Sequence, residues 1–199
     1  MKKGIKMACL AAFALLSGCK RSLKSNEYVS YIRDIQNGLN KIVTLDGWQY
    51  TVQYRPCEYI LLQEHNSVKE TGQRRKELAG TVSFVIKVKR ADNSVSPLRY
   101  NLSSREEYDQ RLDYFLNHAG KELKLVYGKD TLYPTAYEFE NNYNLTPEET
   151  MLVGFTLPGR EQVPGNDMQL SYNDQVFKNG IIKVKFNKED LNNIPNLIE

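Results

Sequence analysis

Apolar and polar residues alternate with period two along much of this chain, most sharply at 48–54 and 81–90. Trp48, Tyr50, Val52 and Tyr54 share one face, and Gln49, Thr51 and Gln53 share the other. Val82, Phe84, Ile86 and Val88 repeat the pattern against Ser83, Lys87 and Lys89. Lys41–Leu45 precedes the first of these runs. The intervening Asp46-Gly47 predicts a type I′ hairpin turn, which needs positive φ at both central residues. Further strands are expected at 122–127, 131–139, 150–157, 168–172 and 181–186, with Gly, Asn and Pro between them. Residues 95–102 read as an edge strand, because Pro97 has no N–H to give to a central ladder.

Helical spacing interrupts this alternation. Residues 27–36 place Tyr28, Ile32 and Ile35 on one face and stop at Asn37-Gly38. Pro56 opens a helix that runs to about Glu64, with Glu58 suited to the dipole of its first turn. Ser104 and Glu107 form a capping box for the strongest helix. Its buried stripe is Tyr108, Leu112, Phe115 and Leu116, its surface pairs are Arg105–Asp109 and Glu107–Arg111, and Gly120 is its stop. Residues 65–80 are charged and read equally as a solvated helix or a loop, with Arg74-Arg75-Lys76 as a solvated face.

The N-terminus carries a different pattern. Lys2, Lys3 and Lys6 precede the uncharged run Met7–Leu16, and Leu16-Ser17-Gly18-Cys19 follows. A positive head, a short apolar run and small residues before a cleavage point are the layout of a secretory signal. The run is too short for a bilayer, which takes about 20 apolar residues. The four-residue motif resembles the bacterial lipoprotein signal, in which cleavage falls between Gly18 and Cys19 and the cysteine is acylated. That resemblance implies a leader over 1–18, a lipidated tether over 19–26 and one β-rich globular domain over 27–199. Two or three acyl chains would anchor it to membrane lipid. Lys20, in place of an Asp, implies the outer membrane. The run Lys20-Arg21-Ser22-Leu23-Lys24, which has no acid, implies the periplasmic face.

The net charge of +3 changes meaning under that reading. The leader takes three of the 27 basic residues and none of the 24 acidic ones, so the remainder is neutral. A balanced chain lacks the basic face that nucleic acid requires. Of the three cysteines, Cys9 goes with the leader and Cys19 with the lipid, which leaves Cys57 without an intrachain partner. It lies in the apolar stretch 56–62 and reads as a packed thiol.

Candidate chemistry is sparse. His65 and His118 have no partner at metal-ligand spacing, so no metal site is expected. Neither a Gly-x-Ser-x-Gly run nor a phosphate-binding or calcium loop occurs, so no catalytic residue and no cofactor are assigned. Glu138–Glu140 and Glu148-Glu149 read as solvated turn charges, with a glycosidase carboxylate pair as the alternative. Asp130-Thr131-Leu132 matches a short O-glycosylation pattern of exported bacterial proteins, which makes Thr131 a candidate O-glycan acceptor.

Residues 125–134, 151–158 and 181–186 resemble an immunoglobulin-like domain of unknown function found behind many bacterial lipoprotein signals. The resemblance implies an exported β-sandwich and no known chemistry. The expected fold is therefore a β-rich, immunoglobulin-like β-sandwich with one or two packed helices, and an α+β label also fits. The expected function is a non-enzymatic binding or assembly module of the cell envelope, anchored to the outer membrane, with an envelope protein as its partner. The alternatives are an accessory lipoprotein of a secretion machine, a toxin-immunity lipoprotein, or a cell-wall or glycan-acting enzyme.

Overall fold

The hairpin predicted at Asp46-Gly47 forms the edge of the larger of two main sheets. A computed structural model describes residues 21–64, 68–143, 145–160 and 164–198. Strands β2 (Asn40–Leu45) and β3 (Trp48–Arg55) pair antiparallel across Asp46 and Gly47, whose φ angles are 48° and 77°. β1 (Ser22–Lys24) and helix α1 (Ser25–Arg33) precede them, and helices α2 (Cys57–Glu64) and α3 (Val68–Leu78) follow. Next come β4 (Thr81–Arg90), helix α4 (Arg105–Asp113), β5 (Leu123–Tyr127), β6 (Asp130–Leu132) and β7 (Ala136–Glu140). The chain closes with β8 (Glu148–Thr156), β9 (Met168–Asp174), β10 (Gly180–Phe186), helix α5 (Lys188–Asn192) and β11 (Asn196–Ile198).

The fold is β-rich with packed helices. A five-stranded sheet has the order β2-β3-β4-β8-β7, and a four-stranded sheet has the order β10-β9-β5-β6. All pairings within them are antiparallel. The inner faces meet in one buried cluster, where Tyr50 faces Tyr172 at 6.4 Å and Phe84 faces Phe186 at 5.3 Å. These are sheets packed as a sandwich, each strand giving alternate residues to the core. Helices α2 and α3 flank the outer face of the larger sheet, and Ile60 and Leu78 line a groove there together with Ser83 and Leu152.

The register gives the sandwich two ends. At one end lie the Asp46-Gly47 turn, the 91–122 crossover with α4, the 141–147 loop and the 175–179 loop. At the other lie β1, α1, the 128–129 turn, α5 and β11. These are called the distal and the proximal end.

Several expectations need correction. Residues 22–26 of the expected tether belong to the body. Ser22–Lys24 pairs in parallel with Asn196–Ile198, Leu23 is buried, and Ser25 opens α1. A three-residue strand without alternation over several turns gives no periodic signal. Ile35 falls outside α1 and is half exposed, because Asp34 ends the helix and caps a tight turn by accepting from Gln36 N at 2.9 Å.

Residues 95–102 form no strand. Pro97 instead begins a single tight turn over Pro97–Arg99, with Leu98 fully buried. The expected strand 131–139 is two strands in two sheets, broken at Tyr133-Pro134-Thr135 where the chain changes layer. After α4, a wide turn over Tyr114–His118 inserts an extra residue per turn. It keeps Phe115 buried, brings Ala119 into the next buried position and leaves Leu116 45 % exposed. Gly120 has no left-handed φ; its role is close approach, since a Cβ there would lie 2.8 Å from Tyr137 Cγ. Residues 68–78 of the undecided stretch are helical.

Gly47→Val combines two penalties. Its φ of +77° resists a β-branched residue, and a Cβ would meet Arg90 Nη2 at 2.8 Å. A destabilisation of about 1 kcal/mol or more is expected in urea unfolding. The emission of Trp48, the single tryptophan, should shift to the red as its contacts loosen.

Candidate functional site

The distal end is organised around an arginine. Arg90 ends β4 with a side chain that is largely buried. Its guanidinium lies 5.1 Å from the Trp48 ring and 4.6 Å from the Tyr100 ring. It also donates to Asp46 O at 3.5 Å and faces Asp92 at 3.8 Å. Trp48 in turn stacks on Phe177 of the 175–179 loop at 3.7 Å. Arg111 of α4 donates to Tyr100 O at 2.6 Å and Pro97 O at 3.3 Å, and it pairs with Glu107. Cation–π and ring contacts of this kind contribute roughly 0.5–1.5 kcal/mol each. Together they join the hairpin, the crossover and the 175–179 loop into one platform.

The capping residues do more than the sequence pattern suggests. Ser104 Oγ accepts from Glu107 N at 3.2 Å, as a cap should. The Glu107 carboxylate reaches one residue further back, to the amide and hydroxyl of Ser103. Those bonds, helped by Arg111, hold Glu107 down at about 2.

Large apolar side chains stand exposed around this platform. Tyr143 is 76 % exposed and Leu145 85 % exposed, both on the 141–147 loop. Leu45, Leu116 and Ile181 are the others at this end. The loop is held at its base, where the Asn142 side chain donates to Thr146 Oγ1 and to Glu148 O. Tyr143 has a φ of 52°.

Beneath the platform lie two buried carboxylates, Asp174, which sequence reasoning missed, and Glu149, which it read as a turn charge. Asp174 accepts from Tyr50 Oη at 2.5 Å, from Asn179 Nδ2 and from the amides of Val176 and Phe177. It folds the 175–179 loop, and with burial it raises the Tyr50 hydroxyl well above its ordinary range. Glu149 is fully buried on the inner face of β8, where Ser96 Oγ donates to its Oε1 at 2.5 Å. Its Oε2 has no hydrogen-bond partner. Burial pushes its carboxyl up to about 7 against the bonds from Ser96 and Leu98 N. Period two carries the signal for both, because Glu149 continues Met151, Val153 and Phe155, and Asp174 continues Met168, Leu170 and Tyr172.

The acids at 148–149 are therefore not turn charges. Glu148 faces outward and pairs with Lys87 at 2.5 Å, while Glu149 points into the core. Glu138 and Glu140 are exposed on the outer face of β7. They line a groove of about 530 Å³ with Arg55, Glu64 and Arg74. Arg74 binds Glu64 through both Nε and Nη2, and Arg75 binds Glu58 at 2.8–2.9 Å, so the basic cluster fastens α3 to α2. Arg55 donates to Gln63 Oε1 at 2.9 Å.

Gly18 and Cys19 lie outside the described residues, as does His65. Thr131 is exposed on the short edge strand β6, open to solvent. Cys57 is half-buried in the first turn of α2, and burial raises its thiol. His118 stands near the distal end, 3.2 Å from Asp113. The structure therefore does not bring it to Cys57 at the proximal end. Among the described residues no cluster of three His, Cys, Asp or Glu side chains could hold a metal. No described helix is long and apolar enough to cross a membrane. No protein-family model matches the chain, and neither a curated protein nor a solved structure shows significant similarity to it.

Glu149 makes stability depend on pH. Its folded-state value of about 7 lies above the ordinary carboxylate value of 4.5, so the folded state binds the proton more tightly. Its contribution is full below about pH 4.5 and is lost as pH rises towards 7. Glu149→Gln should therefore be more stable than the parent at pH 8, by up to roughly 3 kcal/mol. The two proteins should converge at pH 4.5. Urea unfolding at both pH values measures this.

Proposed function

We propose that this protein is a lipid-anchored binding module of the bacterial cell envelope. Its proximal end would stand at the outer membrane and its distal end would meet a protein partner. The observation that carries the reading is the placement of the two ends. The lipoprotein-like motif ends at Cys19, and the body begins at Arg21, whose carbonyl accepts from Asn196 N at 2.9 Å. Two residues span at most ~7 Å. An anchor at Cys19 would therefore meet the proximal end, while Tyr143 and Leu145 stand exposed at the opposite one. An exposed tyrosine on a loop tied at its base is the kind of anchor a protein interface uses, and the exposed Leu145 adds apolar area beside it.

The strand order supports the finer fold reading. β3-β4-β8-β7 facing β10-β9-β5 follows the immunoglobulin order A-B-E-D facing G-F-C, with β6 beside C. β2 and the α2–α3 pair are then additions to that plan. Thr131 on the exposed β6 edge suits an O-glycan acceptor. A glycan-acting role is the second reading, favoured by the groove in which Glu138 and Glu140 face Arg55 and Arg74.

Cys19→Ser should abolish incorporation of a palmitate analogue; persistent labelling contradicts the anchor. In cross-linking from intact membranes, the double variant Tyr143→Ser, Leu145→Ser should lose at least tenfold of one partner band with no change in melting temperature. If that band stays and Glu138→Gln abolishes binding of cell-wall glycan, the second reading replaces the first.

A further inference from the structure

A cavity of about 270 Å³ opens at the proximal end, beside the point where the chain enters the fold. Leu78, Ala79 and Ile194 face its apolar side, with Tyr28, Tyr54 and Leu191 buried behind them. Its charged lining residues, Glu58 and Arg75, neutralise each other across 2.8 Å. Asn196 belongs to the same wall and holds Arg21 by a backbone bond of 2.9 Å. The position two residues before Arg21 is Cys19.

We propose that this cavity holds the carbonyl-proximal part of one acyl chain of the lipid carried by Cys19, so that the protein covers part of its own anchor. The inference rests on the lipoprotein reading of the N-terminus. Chain length supports this occupant over a free membrane lipid. Two residues reach at most ~7 Å, so an acyl group on Cys19 starts close to the wall residue Asn196. A chain delivered from so near is held at high effective concentration, an advantage no free lipid shares. The wall offers apolar contact from Leu78, Ala79 and Ile194 beside a polar side on which Glu58 and Arg75 are paired with each other.

The test uses full-length protein acylated in cells with a palmitate analogue that bears a photoreactive diazirine. Membranes are irradiated, and the peptides are read by mass spectrometry. The expected product is a link between the lipid on the Cys19 peptide and peptides carrying Tyr28, Cys57, Leu78 or Ile194. Ala79→Trp adds an indole at an exposed position of the cavity wall. It should lower that link at least fivefold while acylation of Cys19 stays unchanged. Links from acylated Cys19 to membrane lipids alone overturn the proposal and leave the anchor standing. Adducts of those peptides with free phospholipid, unattached to Cys19, also overturn it. A Cys19 peptide with no acyl mass overturns the lipoprotein reading, and the cavity proposal with it.

Discussion

The pairing of Ser22–Lys24 with Asn196–Ile198 ties the first described strand to the last, and the orientation proposed for the body depends on it. Three residues on each side are a small ladder. The pair is held because Leu23 is buried beneath α1 and because Asn196 N closes onto Arg21 O. Without it the segment before α1 would be a free tether, and under the proposed anchoring either end of the sandwich could face the membrane. With it, the proposed anchor at Cys19 would stand a couple of residues from the body, and the distal loops would be directed away from it.

The second constraint is the period of two. Each strand must give alternate residues to the space between the sheets, so a polar residue caught at an inner position has to be accommodated there. Asp174 is accommodated fully, with four donors that build the 175–179 loop around it. Glu149 is accommodated only in part, with one oxygen bonded to Ser96 and the other unpaired, so protonation is the inexpensive solution. The turn at 97–99 that replaces the expected edge strand follows from this arrangement. Ser96 has to reach Glu149 while Leu98 fills the core behind it.

The strands and the tight hairpin were legible from the chain because alternation and turn chemistry are local. The inner faces of β3 and β4 fall where the pattern puts them. What was not legible depends on contacts between distant residues. Nothing near Tyr114 announces the extra residue in its turn, which serves to seat Phe115 against Phe139 at 5.2 Å. The layer change at Pro134 hides inside a run of strand-forming residues. The β1–β11 ladder hides because neither strand is long enough to show a period. The distal platform was half legible: Trp48 was assigned to a buried face, while Arg90, Tyr100 and Phe177 gave no sign of converging on it.

Fluorescence quenching in the membrane tests the proposed orientation most directly. In a Cys57→Ser background, single cysteines at Asn26 near the proposed anchor and at Leu145 in the distal loop would carry the same fluorophore. Vesicles would contain headgroup-nitroxide lipid and the acylated protein. The account predicts strong quenching at position 26 and almost none at position 145. Equal quenching at the two positions would contradict it.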